Sequence, residues 1–260
     1  MITIKTEKEI ELLKAGGKRL ALILSDLAKM CIPGVSGDEL DKKAGYLMEK
    51  YSSEPSFFKY RPGPHSKPFP ANICLSVNHV TVHGIPSKKI VLKEGDVVKV
   101  DAGLVYSGMF VDSAVTVAVG KVSSKASKLI SVTKKALDLA IKQCLPGKRI
   151  GDIGFVVEQL ARKNKFFVVK DLTGHGVGYG VHEDPFVPNY GKKGVGTQLK
   201  PGMVLALEPI LALGTGESLE IEDGSIATAD GSVSAQFEHT VVITKTKPLV
   251  VTELRIRNNE

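Results

Sequence analysis

Two aspartates lie in one apolar, β-branched stretch, residues 98–117. On either side of Tyr106-Ser107-Gly108, the composition is typical of two strands joined by a tight turn. If the hairpin folds about the Tyr106–Ser107 bond, Asp101 lies directly opposite Asp112, with the Cβ atoms about 5 Å apart. Like charges that face each other repel, and an apolar setting adds several kcal/mol of desolvation. The pattern therefore predicts a cation between the two carboxylates.

The second half of the chain repeats the order of the first. Short motifs around a histidine, two acids and a helix-ending cysteine turn recur in the same succession. The chemistry-bearing residues correspond as follows: His83 to His182, Asp101 to Glu208, and Asp112 to Glu238. The repeat is too long for a solenoid, so we interpret it as a duplication about a pseudo-twofold axis. We expect a single catalytic domain over 1–260, with halves at approximately 7–120 and 124–250.

Near such an axis, the acids of both halves would converge. Asp101, Asp112, Glu208 and Glu238 cannot all ionise unaided in one pocket, and two divalent cations would neutralise them. His175 is flanked by glycines that allow close backbone approach, and it would add one nitrogen ligand. This donor set suits Mn²⁺, Fe²⁺, Co²⁺ or Zn²⁺. Two such ions about 3.5–4 Å apart can activate a shared water and polarise a carbonyl, which predicts a hydrolase.

The histidines divide into two groups. His83 and His182 would flank the metals as a symmetric pair, where neutral imidazoles can hydrogen-bond a scissile amide and a tetrahedral intermediate. We expect only packing roles for His65, His79 and His239. The side chain of His239 should point to the opposite face of its strand from that of Glu238.

Composition limits the other function classes. The chain has 260 residues and a net charge of +7, mostly from its first half, but it shows no helix-turn-helix, zinc finger or aromatic RNA-reading strand. Its three cysteines lack C-x-x-C spacing, so we expect reduced thiols. No apolar run approaches 18 residues and the first residues lack a signal-peptide core. We therefore expect a cytoplasmic protein with no DNA or membrane partner.

Helical spacing and two capping boxes, Thr6 to Glu9 and Ser36 to Glu39, indicate where the first helices begin. Gly16-Gly17 would weaken the first helix by about 1 kcal/mol per glycine relative to alanine, so another element should pack closely there. We predict an α/β (α+β) fold in which each half supplies two helices and antiparallel strands. The predicted helices lie at about 7–31, from the Ser36 cap to 51, at 124–144 and at 152–163. The predicted strands lie at 73–77, 166–169, 203–207 and 233–244, with hairpins at 95–119 and 216–232.

The ordered motifs resemble those of the type I methionine aminopeptidases over nearly the whole chain. This resemblance implies the pita-bread (creatinase/aminopeptidase) fold and a monomer that removes the initiator methionine of nascent polypeptides when the second residue is small. The motifs are Val82-His83-Gly84-Ile85-Pro86, Val100-Asp101-Ala102-Gly103, Asp112, Gly174-His175-Gly176-Val177-Gly178, His182-Glu183-Asp184-Pro185, Leu207-Glu208-Pro209 and Gln236-Phe237-Glu238-His239-Thr240.

The resemblance also implies residue roles. The acids and His175 would bind two divalent ions (Co, Mn, Fe or Zn), and Glu208 would accept the proton of the attacking water. His83 and His182 would contact the scissile peptide. The metal ligands divide into Asp112 and Glu238 as bridging ligands, Asp101 as bidentate ligand of one ion, and His175 with Glu208 on the other. The methionine pocket would be walled by Tyr60, Phe69 and Cys74, with Phe57 as a further candidate.

The chain departs from the family pattern at the pocket. The loop Tyr60–Phe69 is several residues longer than usual, and Val181 and Ser225 stand where bacterial relatives carry aromatic residues. A looser pocket rim would follow. Two alternatives remain open: a proline-specific aminopeptidase or prolidase of the same fold, and a binding module without catalysis. The basic first half also suggests transient ribosome association.

Overall fold

The computed structural model describes residues 1–61, 63 and 66–253. The helices of this part of the chain begin and end within two residues of the predicted bounds. They are α1 (Glu7–Met30), α2 (Gly37–Lys50), α3 (Ser124–Gln143) and α4 (Ile150–Lys163). The strands are β1 (Glu54–Pro55), β2 (Cys74–Val77), β3 (Val80–Val82), β4 (Val97–Tyr106), β5 (Met109–Ala118), β6 (Phe167–Val168), β7 (Thr173–Gly176), β8 (Glu183–Pro188), β9 (Val204–Leu207), β10 (Ile210–Ala212), β11 (Ser218–Glu220), β12 (Ile226–Thr228), β13 (Ser234–Gln236), β14 (Glu238–Val242) and β15 (Leu249–Val250).

Both predicted capping boxes form. The Thr6 hydroxyl accepts from the Glu9 backbone N–H, and the Glu9 carboxylate accepts from the Thr6 N–H at 2.7 Å. Ser36 and Glu39 repeat the arrangement at α2. The close packing predicted for the α1 glycines is also confirmed, because a Cβ on Gly17 would lie 2.2 Å from the carbonyl oxygen of Val251.

The helices pack against a nine-stranded antiparallel sheet. Its order is β1-β4-β5-β14-β9-β7-β8, with β2 paired to β4 and β15 to β14. Apolar residues of α1 and α2 are buried with β4 and β5, and those of α3 and α4 with β9 and β14. The predicted combination of antiparallel strands and covering helices is confirmed. No helix within the described residues has the length and apolarity needed to cross a bilayer.

The β4–β5 hairpin turns at Ser107-Gly108, and the predicted direct pairing of the two aspartates is wrong. Both turn residues have positive φ (49° and 79°), as a two-residue hairpin of the I′ type requires. Tyr106 therefore pairs with Met109, Asp101 with Ala114, and Gly103 with Asp112. The two aspartates lie on one face as diagonal neighbours, because they are two positions out of register.

The strand predicted over 233–244 is two strands in different sheets. β13 pairs with β10 in the three-stranded sheet β13-β10-β6, whereas β14 belongs to the large sheet. The segment that pairs with these two strands is interrupted in the same way: β9 pairs with β14, β10 pairs with β13, and Glu208-Pro209 separates β9 from β10. The prediction failed because local composition does not report a change of sheet. Glu208 and Glu238 lie at these two breaks, at the edge of the large sheet's central strands.

Candidate active site

Neighbouring strands bring the predicted ligands together. Cys74, Asp101, Ala114 and Glu238 form one row across β2, β4, β5 and β14, each paired with the next. Ala114 has a small side chain, which leaves space between the carboxylates of Asp101 and Glu238. Asp112 lies two residues from Ala114 on the same face of β5. Carboxylates from both halves of the chain thus share one surface of the sheet.

His175 completes the cluster from β7. One ligand atom each of Asp112, His175 and Glu238 lies within 4.8 Å of the others, and all three residues are buried. The Nε2 atom of His175 lies 3.6 Å from Oε1 of Glu208, which directly follows β9. Asp101, Asp112 and Glu238 thus lie on adjacent strands, with His175 on β7 and Glu208 directly after β9.

Ionisation of the clustered acids is unfavourable, as the sequence predicted. Burial raises the pKa of Asp101 well above its usual range, and the neighbouring Asp112 carboxylate raises it further. Burial likewise raises the pKa of Glu208 and of Glu238, with added repulsion from Asp101 and Asp112. Burial raises the pKa of Asp112 to about 7. Burial and mutual repulsion therefore oppose full ionisation of these acids unless a cation is present.

The donor set fits a divalent metal ion. The Oδ1 atoms of Asp101 and Asp112 are buried without a hydrogen-bond partner among the described residues. A buried unpaired carboxylate oxygen costs 1–3 kcal/mol or more, and a cation would remove that cost. Carboxylate oxygens with one imidazole nitrogen are suitable ligands for Mn²⁺, Fe²⁺, Co²⁺ or Zn²⁺.

Backbone hydrogen bonds orient the ligands. His175 Nδ1 lies 2.9 Å from the carbonyl oxygen of Gly176. A proton on Nδ1 satisfies that contact and leaves Nε2 as a free acceptor, as metal ligation requires. The Asp112 N–H donates to the Thr240 hydroxyl at 2.9 Å, and the same hydroxyl donates to the Asp112 carbonyl at 2.7 Å. Sequence reasoning missed Thr240, although it follows Glu238 by two residues and therefore lies on the same face of β14.

His83 and His182 border the cluster and are both exposed to solvent. The rings of His175 and His182 are 4.5 Å apart between centroids. Surrounding protein lowers the pKa of His182, chiefly by desolvation and further through the charges of His175 and His83. Partial burial lowers the pKa of His83 as well. The lowered pKa values favour the neutral imidazoles, each of which can donate one hydrogen bond and accept one.

An apolar cluster adjoins the acids. Phe57, Cys74 and Val181 are buried together, and Tyr60, Phe69 and Phe110 pack against them. Cys74 lies directly opposite Asp101, and burial together with the charges of the nearby acids raises the pKa of its thiol. Tyr60 also bonds His182, with its hydroxyl 2.7 Å from Nδ1.

The two positions where aromatic residues were expected lie in different environments. Val181 lies inside the apolar cluster, whereas Ser225 donates to the His83 carbonyl at 3.2 Å. Phe110 was not predicted, although it precedes Asp112 by two residues and so shares its face. Within the loop predicted to be longer, Pro62, Pro64 and His65 lie outside the described residues.

Among the described residues, His239 and His79 make their hydrogen bonds outside the acid cluster. The Nδ1 atom of His239 lies 2.9 Å from the Thr252 hydroxyl, on the other face of β14 from Glu238. The His79 carbonyl accepts from the Thr228 N–H at 2.9 Å.

Comparison with known proteins shows the family to which the chain is similar. The model of metallopeptidase family M24 matches residues 11–245. A methionine aminopeptidase of Aquifex aeolicus is 44% identical over 258 residues, covering 97% of this chain and 99% of that protein. The crystal structure of a methionine aminopeptidase from Thermotoga maritima has a TM-score of 0.92 at 39% identity, covering 97% of this chain and all of that one.

A prolidase from Pyrococcus horikoshii shares the fold, with a TM-score of 0.75 at 22% identity, and this chain covers 64% of it. The predicted pita-bread fold is confirmed by the family match and by these structures. The chain belongs to metallopeptidase family M24 and, within it, to the methionine aminopeptidases.

Proposed function

We propose that this protein removes the N-terminal methionine from polypeptides whose second residue is small. The observation that carries the proposal is the convergence of Asp112, His175 and Glu238, whose ligand atoms lie within 4.8 Å of one another beside an apolar pocket. The high similarity to methionine aminopeptidases over the full chain supports the choice of substrate.

The proposed metal site uses five ligands. Asp112 and Glu238 would bridge two divalent ions, with Asp101 on one ion, and His175 and Glu208 on the other. Ions held by these residues would supply a water molecule of lowered pKa and polarisation of a carbonyl. The buried, unpaired oxygens of Asp101 and Asp112 support their assignment as ligands. The number of ions and their identity (Co, Mn, Fe or Zn) are part of the proposal.

The side chains around the metal site would bind the peptide and accept the proton of the water. Glu208, a carboxylate directly beside the metal site, would accept the proton of the attacking water. Neutral His83 and His182 would hydrogen-bond the scissile peptide and the oxygen that becomes negative. Tyr60, Phe69 and Cys74, with Phe57, would surround the methionine side chain, whose thioether contacts aromatic rings favourably.

The direct test compares peptides. Purified protein supplied with Mn²⁺ or Co²⁺ should release methionine from Met-Ala-Ser, and should do so far more slowly from a peptide with a bulky second residue. Preference for Xaa-Pro peptides would identify the prolidase-like alternative instead. Absence of any turnover, with metal bound, would favour the alternative of a binding module without catalysis.

We further propose that the substrates are nascent chains in the cytoplasm and that the enzyme is a monomer. Basic and aromatic side chains on α2 support a contact with ribosomal RNA: the Lys43 ammonium lies 5.1 Å from the ring centre of Tyr46, which is exposed. Reversing the charges of Lys42, Lys43 and Lys50 should reduce co-sedimentation with ribosomes. Unchanged co-sedimentation would remove this proposal without affecting peptide hydrolysis. The internal duplication of the chain stays a prediction.

A further inference from the structure

The carboxylate of Glu183, the residue after His182, is surrounded by donors. Its Oε1 atom accepts from the backbone N–H of Tyr179 and, at 3.1 Å, from that of Gly180. Its Oε2 atom accepts from the Thr3 hydroxyl at 2.5 Å and from the Lys5 ammonium at 2.7 Å. One side chain thus closes the turn that carries His182 and joins it to the first residues of the chain.

Lys5 is buried at this joint, with only 1% of its side chain exposed. Its stem passes across Gly178, where a Cβ would lie 2.3 Å from the Lys5 Cε atom. Its ammonium lies 4.7 Å from the ring centre of Tyr179. A buried ion pair is by itself weak evidence for stability, and here both partners are also held by other contacts.

The same segment is attached at further points. The Lys5 N–H donates to the Gly202 carbonyl at 2.8 Å, and the Tyr179 hydroxyl donates to Glu9 at 2.9 Å. The turn itself is bound to β5, because the Phe110 N–H donates to the Gly178 carbonyl at 2.8 Å. The first residues, the turn and β5 therefore form one connected unit.

The turn has little regular structure of its own before β8 begins at Glu183. Glu183 is paired with Gly176, the residue after His175. His182 thus lies between the Glu183 anchor and the irregular turn, with its ring against His175.

We propose that Lys5 and Glu183 are positioning residues: their ion pair fixes the turn 179–183 and thereby holds the His182 ring over the acid cluster. The idea rests on the proposed function only in so far as His182 contacts the peptide. Neither Lys5 nor Glu183 touches the reacting atoms, and neither is a metal ligand. Displacement of a contacting group by about 1 Å can lower a rate about a hundredfold, so loss of the pair should act on turnover.

The test uses Lys5→Met and Glu183→Gln, with Lys14→Met as a matched control. Lys14 forms a comparable ion pair with Glu11 at 2.8 Å, but on the exposed side of α1. The position of His182 is read without activity, from its rate of modification by diethylpyrocarbonate followed by peptide mapping. We expect this rate to rise severalfold in both variants and to stay unchanged in Lys14→Met, with metal content preserved.

Turnover of Met-Ala-Ser gives the second readout. Each variant should lower kcat about tenfold, with a smaller change in KM. In a His182→Ala background, Lys5→Met should have little further effect, because the group that it positions is absent. A purely structural role would instead lower kcat by the same factor in both backgrounds.

Two results would overturn the inference: an unchanged His182 modification rate in folded Lys5→Met, or equal losses of kcat in both backgrounds. If Lys5→Met does not fold, Glu183→Gln, which keeps the side-chain volume and an oxygen acceptor, is judged by the same criteria. If the wild-type protein does not cleave Met-Ala-Ser, the proposed function fails, but the modification rates still decide the inference.

Discussion

The Nε2 atom of His175 and the Oε1 atom of Glu208 face each other at 3.6 Å, too far apart for a hydrogen bond. Burial lowers the pKa of His175, which favours the neutral imidazole, and the Gly176 carbonyl 2.9 Å from Nδ1 favours the tautomer with the proton on that nitrogen. Two atoms with free lone pairs therefore point at one space. A positively charged atom in that space satisfies both.

Asp112→Asn should abolish metal binding and turnover together. Asparagine keeps the volume but loses the charge that the proposed bridging ligand supplies. We expect metal content, measured by elemental analysis, to fall with kcat/KM for Met-Ala-Ser. The loss should be at least about a hundredfold, since loss of outer-shell partners alone costs up to that much. Asp138→Asn, on the exposed face of α3, is the control. Retention of both metal and turnover in Asp112→Asn would refute the site.

Metal binding should release protons and strengthen as pH rises. In the metal-free cluster, burial raises the pKa of Asp112 to about 7, and those of Asp101, Glu208 and Glu238 are raised as well. Below these pKa values a metal must displace protons, so its affinity increases with pH until the acids are ionised. Calorimetry in two buffers of different ionisation enthalpy measures the number of protons released on metal binding. Binding heats that are independent of the buffer would contradict this expectation.

Gly17→Ala should destabilise the protein although alanine is the better helix former. The propensity gain is about 1 kcal/mol, but the new Cβ would lie 2.2 Å from the Val251 carbonyl oxygen. Overpacking of this kind costs about 1–3 kcal/mol. Gly16→Ala is the matched comparison, because its Cβ would lie 3.2 Å from Tyr106 Cβ. Urea unfolding should rank Gly17→Ala as the less stable variant, and the reverse order would show that the contact relaxes freely.

The three thiols should be unreactive until the protein unfolds. Burial raises the pKa of Cys31 to about 12 and raises those of Cys74 and Cys144 as well. Since the thiolate is the reactive form, little is present at pH 8 in the folded state, and each pKa returns to its normal value on unfolding. Ellman's reagent should therefore detect three thiols in denaturant and almost none without it. A rapid reaction in native protein would reveal an accessible thiol, with Cys74 in the pocket the first to map.

Local signals were sufficient for much of the fold. The capping residues Thr6 and Ser36 gave the starts of α1 and α2, because these hydrogen bonds involve residues three apart in sequence. The acids of the site could be named from their repeated order in the two halves. Their shared face could also be deduced, because side chains alternate along a strand.

Strand register and contacts between residues distant in sequence were harder to predict. The position of the turn at Ser107-Gly108 requires positive φ at both residues. The only sequence feature that indicates this position is the glycine at the second central residue of the turn. The break before Glu238 depends on the matching break at Pro209, which is distant in sequence. No local pattern links Lys5 to Glu183, since 178 positions separate them.

The central place of β14 has a consequence for biosynthesis. This strand lies between β5 and β9, yet residues 238–242 are among the last of the sheet to leave the ribosome. A chain interrupted earlier would leave the edges of β5 and β9 that face β14 unpaired, and unpaired strand edges are templates for aggregation. Incomplete copies should therefore be insoluble and be cleared by cellular quality control, so that a partial site has no opportunity to act on other proteins.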